Sequence, residues 1–363
     1  MKRRDWVLAI LALAGLAGMR GHAGEAVVTG AVGAQLDTLL SRAADKGFSG
    51  ACMVAKSGEV VLSKGYGLAH RKKEIPITPC TVFDIGSITK QFTAAAILAL
   101  EMEEKLSVKD PITKYFEGVP EDKQSITLHH LLTHSSGLRD SFGGDYAPMS
   151  REAIVKKSMK SRLLWKPGEA YRYSNAGYSL LGAVIEKVSG LSYEACLRTR
   201  LFEPAGMEMT GYRLPAWEPG QLAHGYRGRR DTGTPLDHRW DDDGPFWNLR
   251  ANGGILSTVG DMYRWHAALQ GDAILTAEAK EKLFTPHIRE GNDAKSYYGY
   301  GWVWAKTRRG TTLICHNGGN GIFFADFRNY VDEEVLVLFM TNQDNRVSLK
   351  ALRSIMAVLF PSS

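Results

Sequence analysis

The sequence predicts an α+β fold in which one antiparallel sheet, built from both ends of the chain and flanked by terminal helices, carries an inserted and mainly helical lobe. Three observations point there. Short apolar runs broken by Gly, Asn and Asp occur near the N-terminus and again from Tyr298 onward. Between them, from Ile88 to Leu283, helical patterns dominate. Pro148, Pro167 and Pro204 punctuate that middle stretch as helix-to-helix breaks. The 363 residues, 44% hydrophobic and 23% charged, suffice for one large two-lobed globular domain.

The chain starts Met1-Lys2-Arg3-Arg4, runs apolar from Trp6 to Met19, and offers Gly21-His22-Ala23 as a cleavage site. This reads as a secretory signal over residues 1–23, with a single domain over 24–363 and an exported, periplasmic or secreted product. A retained N-terminal anchor is the rival reading, but the apolar run is short against the roughly 20 residues of a membrane span. No stable span is expected once the signal is removed. Its loss also lowers the formal charge from +6 to +3, and no dense basic run remains, which argues against nucleic acid as a partner. Cys52, Cys80, Cys196 and Cys315 lie far apart with no CxxC pair. Two disulfides are conceivable in an oxidising compartment, yet nothing in the spacing demands them, and mostly buried thiols are expected.

In chain order, Leu36, Leu39, Leu40 and Ala43 mark a helix over Ala34–Lys46. Gly50–Lys56 and Glu59–Ser63 read as a hairpin turning at Ser57-Gly58. Ile88–Glu104, free of Gly and Pro, reads as a helix. Helices are also expected at Leu128–Leu132, Arg151–Lys160, Ser179–Val188 and Tyr193–Leu201, then at Val259–Leu269 and Ala277–Leu283. Trp217–Asn248 is polar, aromatic and turn-rich, a long excursion in which Trp240 and Trp247 either line a pocket or pack the loop down. Its Asp241-Asp242-Asp243 run lacks the ligand spacing of a calcium loop. Tyr298–Ala305, Thr311–Cys315, Gly321–Phe327 and Glu334–Phe339 read as strands, and Leu349–Phe360 as a closing helix. These patterns place a sheet lobe at about 24–84 and 295–363, a helical lobe at about 85–205 and 250–290, and a loop-rich rim at about 210–249.

Chemistry concentrates at three places. In Ser87-Ile88-Thr89-Lys90, a serine opening the helix sets Lys90 about one turn on, on the same face. A neighbouring lysine can take the serine's proton if burial depresses its pKa. The same four residues also suit an N-cap with a solvated lysine. In Tyr173-Ser174-Asn175, the phenol can relay a proton and the Asn amide can fix the lysine and a substrate carbonyl; a helix-capping turn is the plainer reading. In His316-Asn317-Gly318-Gly319, two glycines at a strand leave room for a substrate backbone. A backbone N–H there, with that of Ser87, would make an oxyanion hole, and His316 would order hydroxyls or touch substrate.

Taken together, these motifs resemble those of the class C β-lactamase and penicillin-binding-protein-like serine hydrolases, a family that includes D-Ala-D-Ala carboxypeptidases, D-amino-acid peptidases and esterases. Leu131-Leu-Thr-His-Ser-Ser-Gly-Leu138 and Gly253-Gly-Ile-Leu-Ser-Thr-Val-Gly-Asp261 are similar to framework stretches of that family, and the resemblance covers about residues 31 to 358. It implies a β-lactamase/transpeptidase-like fold with the site between lobes. It implies Ser87 as acylated nucleophile, Lys90 and Tyr173 as proton carriers, and Asn175 as the group orienting Lys90 and substrate. The implied substrate is a small molecule or short peptide, with cell-wall fragments among the candidates, and no cofactor or metal is called for. Alternatives on the same fold are a D-Ala-D-Ala carboxypeptidase, a β-lactamase, or a non-catalytic binding protein.

One departure matters. Where many relatives carry Lys-Thr-Gly, this chain has His316-Asn317-Gly318. A lysine stays charged and holds a substrate carboxylate, whereas a histidine is largely neutral near pH 7. Weak dependence on a substrate carboxylate and poor β-lactam hydrolysis are therefore expected. His129, His130 and His134 suggest a metal cluster, but no Glu follows His130, so the zinc-protease pattern fails. No serine sits in G-x-S-x-G, which excludes the α/β-hydrolase elbow.

Overall fold

A computed structural model describes residues 25–292 and 294–361; the expected signal segment lies outside the described residues. The main sheet has nine antiparallel strands, numbered here along the chain: β1 (Val27–Val28), β2 (Gly50–Lys56), β3 (Glu59–Tyr66), β4 (Ile288–Arg289), β5 (Ser296–Tyr298), β6 (Val303–Lys306), β7 (Thr312–Gly319), β8 (Phe324–Tyr330) and β9 (Val335–Thr341). Their spatial order is β1-β3-β2-β9-β8-β7-β6-β5-β4. The two ends of the chain meet where β9 pairs with β2, from Val335↔Lys56 to Thr341↔Gly50.

The β2–β3 hairpin turns at Ser57-Gly58, both with positive φ (49° and 81°), as a two-residue turn between twisted strands requires. The central strands are apolar on both faces, so each must be covered twice. Cys52, Val54, Val337 and Phe339 face helices α1 (Gly30–Ala44) and α9 (Arg346–Leu359), meeting Leu36, Leu40, Leu352 and Ile355. The alternate residues Ala51, Met53, Leu336, Leu338 and Met340 belong to the larger core with the inserted helices. Those helices are α2 (Thr89–Met102), α3 (Leu128–Leu132), α4 (Arg151–Lys160), α5 (Asn175–Ser189), α6 (Tyr193–Leu197), α7 (Val259–Gln270) and α8 (Ala277–Phe284). Helix α2 is buried from Thr89 to Leu100, all the way round, so its polar residues must find partners inside.

Two expectations need correction. Tyr298–Ala305 is not one strand: it is a hairpin, β5 and β6, turning at Gly299–Trp302 with Gly301 at φ +76°. A Cβ on Gly301 would also sit 2.6 Å from the Lys90 carbonyl oxygen, so the turn packs directly on the start of α2. Strand β7 does not end at Cys315 but runs on through Gly319, pairing Asn317↔Asp326 and Gly319↔Phe324. In the 217–248 excursion, Trp240 and Trp247 are buried. Trp240 packs edge-on to Tyr212, and Trp247 packs with Met149, Ile154 and Ala183, so both tie the loop down. Asp243 pairs with the buried Arg250 (2.8 Å to Nη1).

Candidate active site

Ser87 sits in a single 3₁₀ turn, Gly86–Ile88, that leads into α2. Strand β7 lies against this turn. Gly86 has φ +51°, and a Cβ there would fall 2.5 Å from the Gly319 nitrogen; a Cβ on Gly318 would fall 2.5 Å from the Ser87 nitrogen. Only glycines allow both the left-handed turn and this approach. The turn is pinned by buried Asp84, whose Oδ1 accepts the Gly86 N–H (2.7 Å) while Oδ2 accepts the Asn320 side-chain amide (2.9 Å). Asn320 in turn accepts the N–H groups of Ile322 and Phe323, so one carboxylate ties the serine turn to the loop after β7. Burial pushes the Asp84 carboxyl up to about 6.

Lys90 is fully buried one turn beyond Ser87. Its Nζ lies 3.1 Å from Ser87 Oγ and donates to Asn175 Oδ1 (2.8 Å) and to the main-chain oxygen of Asn252 (2.6 Å). Burial pushes the amine down to about 7, against the opposing pull of Asp140 and Asp145. Asn175 begins α5, capped by Ser174, whose Oγ accepts the Gly177 N–H (3.0 Å). The capping reading of this motif therefore holds for Ser174, while Asn175 turns to the lysine. The ring of Tyr173 lies 4.6 Å from Lys90 Nζ. Burial raises the Tyr173 phenol above its ordinary range, with Ser87 pulling the other way, so it stays protonated.

His316 lies in β7, buried. Its Nδ1 donates to the Asn317 carbonyl (2.7 Å), so Nε2 accepts the Tyr298 hydroxyl (3.0 Å). Burial, then the neighbouring Lys90, pushes the imidazole down to about 3. The residue is neutral at physiological pH, as expected of a histidine in place of a lysine. The structure thus brings Ser87, Lys90, Tyr173, Asn175, His316, Gly318 and Gly319 to one place.

Three contributors escaped the sequence reading. Asn252, which follows Ala251 in a left-handed conformation (φ +68°), bonds Lys90 through its buried carbonyl, and its side chain is held by Ser179 and Asn248. Asp84 carries no motif beyond its place before Gly86. His134, expected to belong to a framework stretch but given no role at the site, has φ +56° and accepts the Ser174 N–H at Nδ1 (3.0 Å), with its ring against Tyr173 (4.2 Å). It braces the Tyr173-Ser174-Asn175 segment. His130 goes elsewhere, completing a capping box with Thr127, and His129 bonds Tyr300. At the rim, Tyr146 stacks on His238 (3.9 Å, 11°), joining the 139–149 loop to the long excursion.

A serine paired with a buried lysine one helical turn away, on a sheet with helices on both faces, defines a class of serine hydrolase. Residues 36–359 match the family described as Beta-lactamase, and the chain belongs to that family. It is 28% identical over 325 residues to Penicillin-binding protein 4* of Bacillus subtilis (strain 168), covering 85% of this chain and 71% of that protein. It is 34% identical over 257 residues to the putative penicillin-binding protein PbpX of the same organism, covering 70% of this chain and 62% of the relative, less than two thirds of its length. The fold superposes on the octameric penicillin-binding protein homologue from Pyrococcus abyssi with a TM-score of 0.77 at 28% identity, over 90% of this chain and 77% of that one. The protein is a serine hydrolase with a β-lactamase/transpeptidase-like fold. Among the described residues, no helix is long and apolar enough to cross a membrane.

Proposed function

We propose that the protein hydrolyses a small ester, amide or D-amino-acid peptide through an acyl-enzyme at Ser87, and that it turns over β-lactams poorly. The observation that carries this reading is the Lys90 amine 3.1 Å from Ser87 Oγ. A neutral amine has two N–H donors and one lone pair. Two of its three neighbours, Asn175 Oδ1 and the Asn252 carbonyl, can only accept, so the lone pair faces the Ser87 hydroxyl. Lys90 takes that proton as Oγ attacks the substrate carbonyl, and the Ser87 and Gly319 N–H groups receive the developing oxyanion. Tyr173, still a phenol, gives its proton to the leaving group and is reprotonated by Lys90, which restores the neutral amine; water then attacks the acyl carbonyl, its proton passes to Lys90 and on to Ser87 Oγ as that oxygen leaves, and the acid is released.

Neutral His316 offers no cation for a substrate carboxylate. Asp140 and Asp145 act on Lys90, and Glu290, bonded by the Tyr171 hydroxyl (3.2 Å), acts on Tyr173. This negative surround favours neutral or amine-bearing substrates over anionic ones. The test is a panel of activated esters and amino-acid amides, with intact mass followed over minutes after adding either an ester or a penicillin. The expected result is a transient adduct of one acyl group, absent in Ser87→Ala, with penicillin turnover well under about 10 per second. Ester turnover unchanged by Ser87→Ala would overturn the proposal.

A further inference from the structure

Away from Ser87, a second group of side chains converges from distant parts of the chain. His70 ends the short strand Leu68–His70, which pairs with Ile75–Pro76. His224 lies just before, and Asp231 ends, the small hairpin Tyr226–Arg227/Arg230–Asp231 in the long excursion. The backbones beneath them are fastened together. The His224 N–H donates to the Ala69 carbonyl (2.8 Å), and the Asn342 amide bridges the Leu68 and His224 carbonyls (3.1 and 2.9 Å). The Arg71 N–H donates to the Tyr226 hydroxyl (2.8 Å).

On this frame the two imidazoles lie with ring centroids 3.9 Å apart and their planes tilted by 41°, and His224 Nδ1 is 3.0 Å from Asp231 Oδ1. One ligand atom from each of the three residues lies within 4.8 Å of the others. Both histidines are half-buried and Asp231 is exposed, so the group opens to solvent on one side. Among the described residues, none of the three side chains hydrogen-bonds to Ser87, Lys90, Tyr173 or Asn175.

We propose that His70, His224 and Asp231 bind one divalent transition-metal ion of the zinc type. Two imidazoles and a carboxylate are the ligand set such an ion prefers, with bonds of about 2.0–2.2 Å and a fourth position left to water. Rotation of three partly exposed side chains closes the 4.8 Å spread, because the backbones that carry them are already in place. The ion would fasten the segment after β3 to the start of the rim loop, a structural clamp with no part in the hydrolysis. Histidines this far apart in sequence carry no spacing motif, and for that reason the sequence, whose metal-like clusters are His129, His130 and His134 and the run Asp241–Asp243, does not reveal this group.

The experiment is calorimetric titration of untagged, chelator-treated protein with Zn²⁺ alone, on the native chain and on His70→Ala, His224→Ala and Asp231→Asn, with His129→Ala as control. One saturable equivalent is expected in the native chain and in the control. Affinity should fall at least about tenfold in each of the three variants, with Zn²⁺ raising Tm only where it binds. Circular dichroism checks folding, and the exposed Asp231→Asn keeps the test open if a histidine variant misfolds. Absence of saturable binding, or binding indifferent to His70→Ala and Asp231→Asn, would mean the three side chains form a His224–Asp231 pair with a neighbouring ring and nothing more. Ester hydrolysis should not change in any of these variants, which separates this test from that of the Ser87 chemistry.

Discussion

The two faces of the sheet are built on opposite terms. On the α1/α9 face, Leu36, Leu40, Val54, Val337, Phe339 and Ile355 interlock, and the fully buried polar side chains beside them, Thr341 and Ser348, are neutral hydroxyls 3.1 Å apart. On the other face the core is larger, yet it encloses Lys90, Asp84, His134 and His316. Each of these is a group that water would stabilise and burial penalises, held by specific partners. The contrast separates two tasks. One face supplies stability through apolar contact, and the other spends some of it to bury an amine beside a serine, which lowers the amine's pKa to about 7.

Substitutions on the two faces should therefore separate activity from stability. The largest expected effect is that of Lys90→Met, which lowers the acylation rate about 10³-fold or more by removing the base. Its cost in stability should be small, within about 1 kcal/mol. Removing a buried amine relieves desolvation, and this offsets the orphaned Asn175 and Asn252 oxygens. Stopped-flow acylation by an activated ester, with urea unfolding alongside, measures both. Phe339→Ala should do the reverse. Phe339 is fully buried and stacks on Phe48 at 5.3 Å, so truncation should cost about 3–5 kcal/mol. Acylation by the protein that remains folded should be unaffected. A Phe339 variant that lost activity per folded molecule would show that the two faces are coupled through the sheet.

The same contrast explains how much of the molecule was legible in its sequence. The α1/α9 face is made of periodic apolar residues, and both helices and the β2–β3 hairpin are readable from spacing and from Ser57-Gly58. Ser87 and Lys90 are readable because a helix fixes what three residues of separation mean. The rest of the site is assembled by tertiary contact. Asn252 contributes a main-chain oxygen, for which no side chain is selected, and Asp84 works through the Gly86 N–H and through Asn320, far along the chain. His134 sits in a histidine-rich framework stretch, and no spacing rule links its ring to the Ser174 N–H forty residues on. The β5–β6 turn was hidden because aromatic residues around Gly299 and Gly301 look like strand.

The smallest effect sharpens the comparison most, because it asks whether the buried amine is the base. Acylation should need Lys90 neutral, so the rate should fall about tenfold for each pH unit below about 7 and level off above it. His316, pushed down to about 3, and His134, held well below its ordinary value, do not titrate in that window. Asp84, raised to about 6, is the competing group, so the profile is measured also in Asp84→Asn. A limb that persists near pH 7 in Asp84→Asn belongs to Lys90; a limb that disappears belongs to Asp84 and removes Lys90 from the role. The sign of the stability linkage offers a second check. Between about 7 and the ordinary lysine value of 10.5, the unfolded chain holds a proton on Lys90 that the native protein does not. Stability from this group therefore rises with pH across that window, by about 1.4 kcal/mol per unit at most, and is flat below pH 7, where both states are protonated. Subtracting the Lys90→Met curve from that of the native chain isolates this slope. A flat difference would place the Lys90 pKa near its ordinary value in the folded protein, and the amine would then be too often charged to serve as the base.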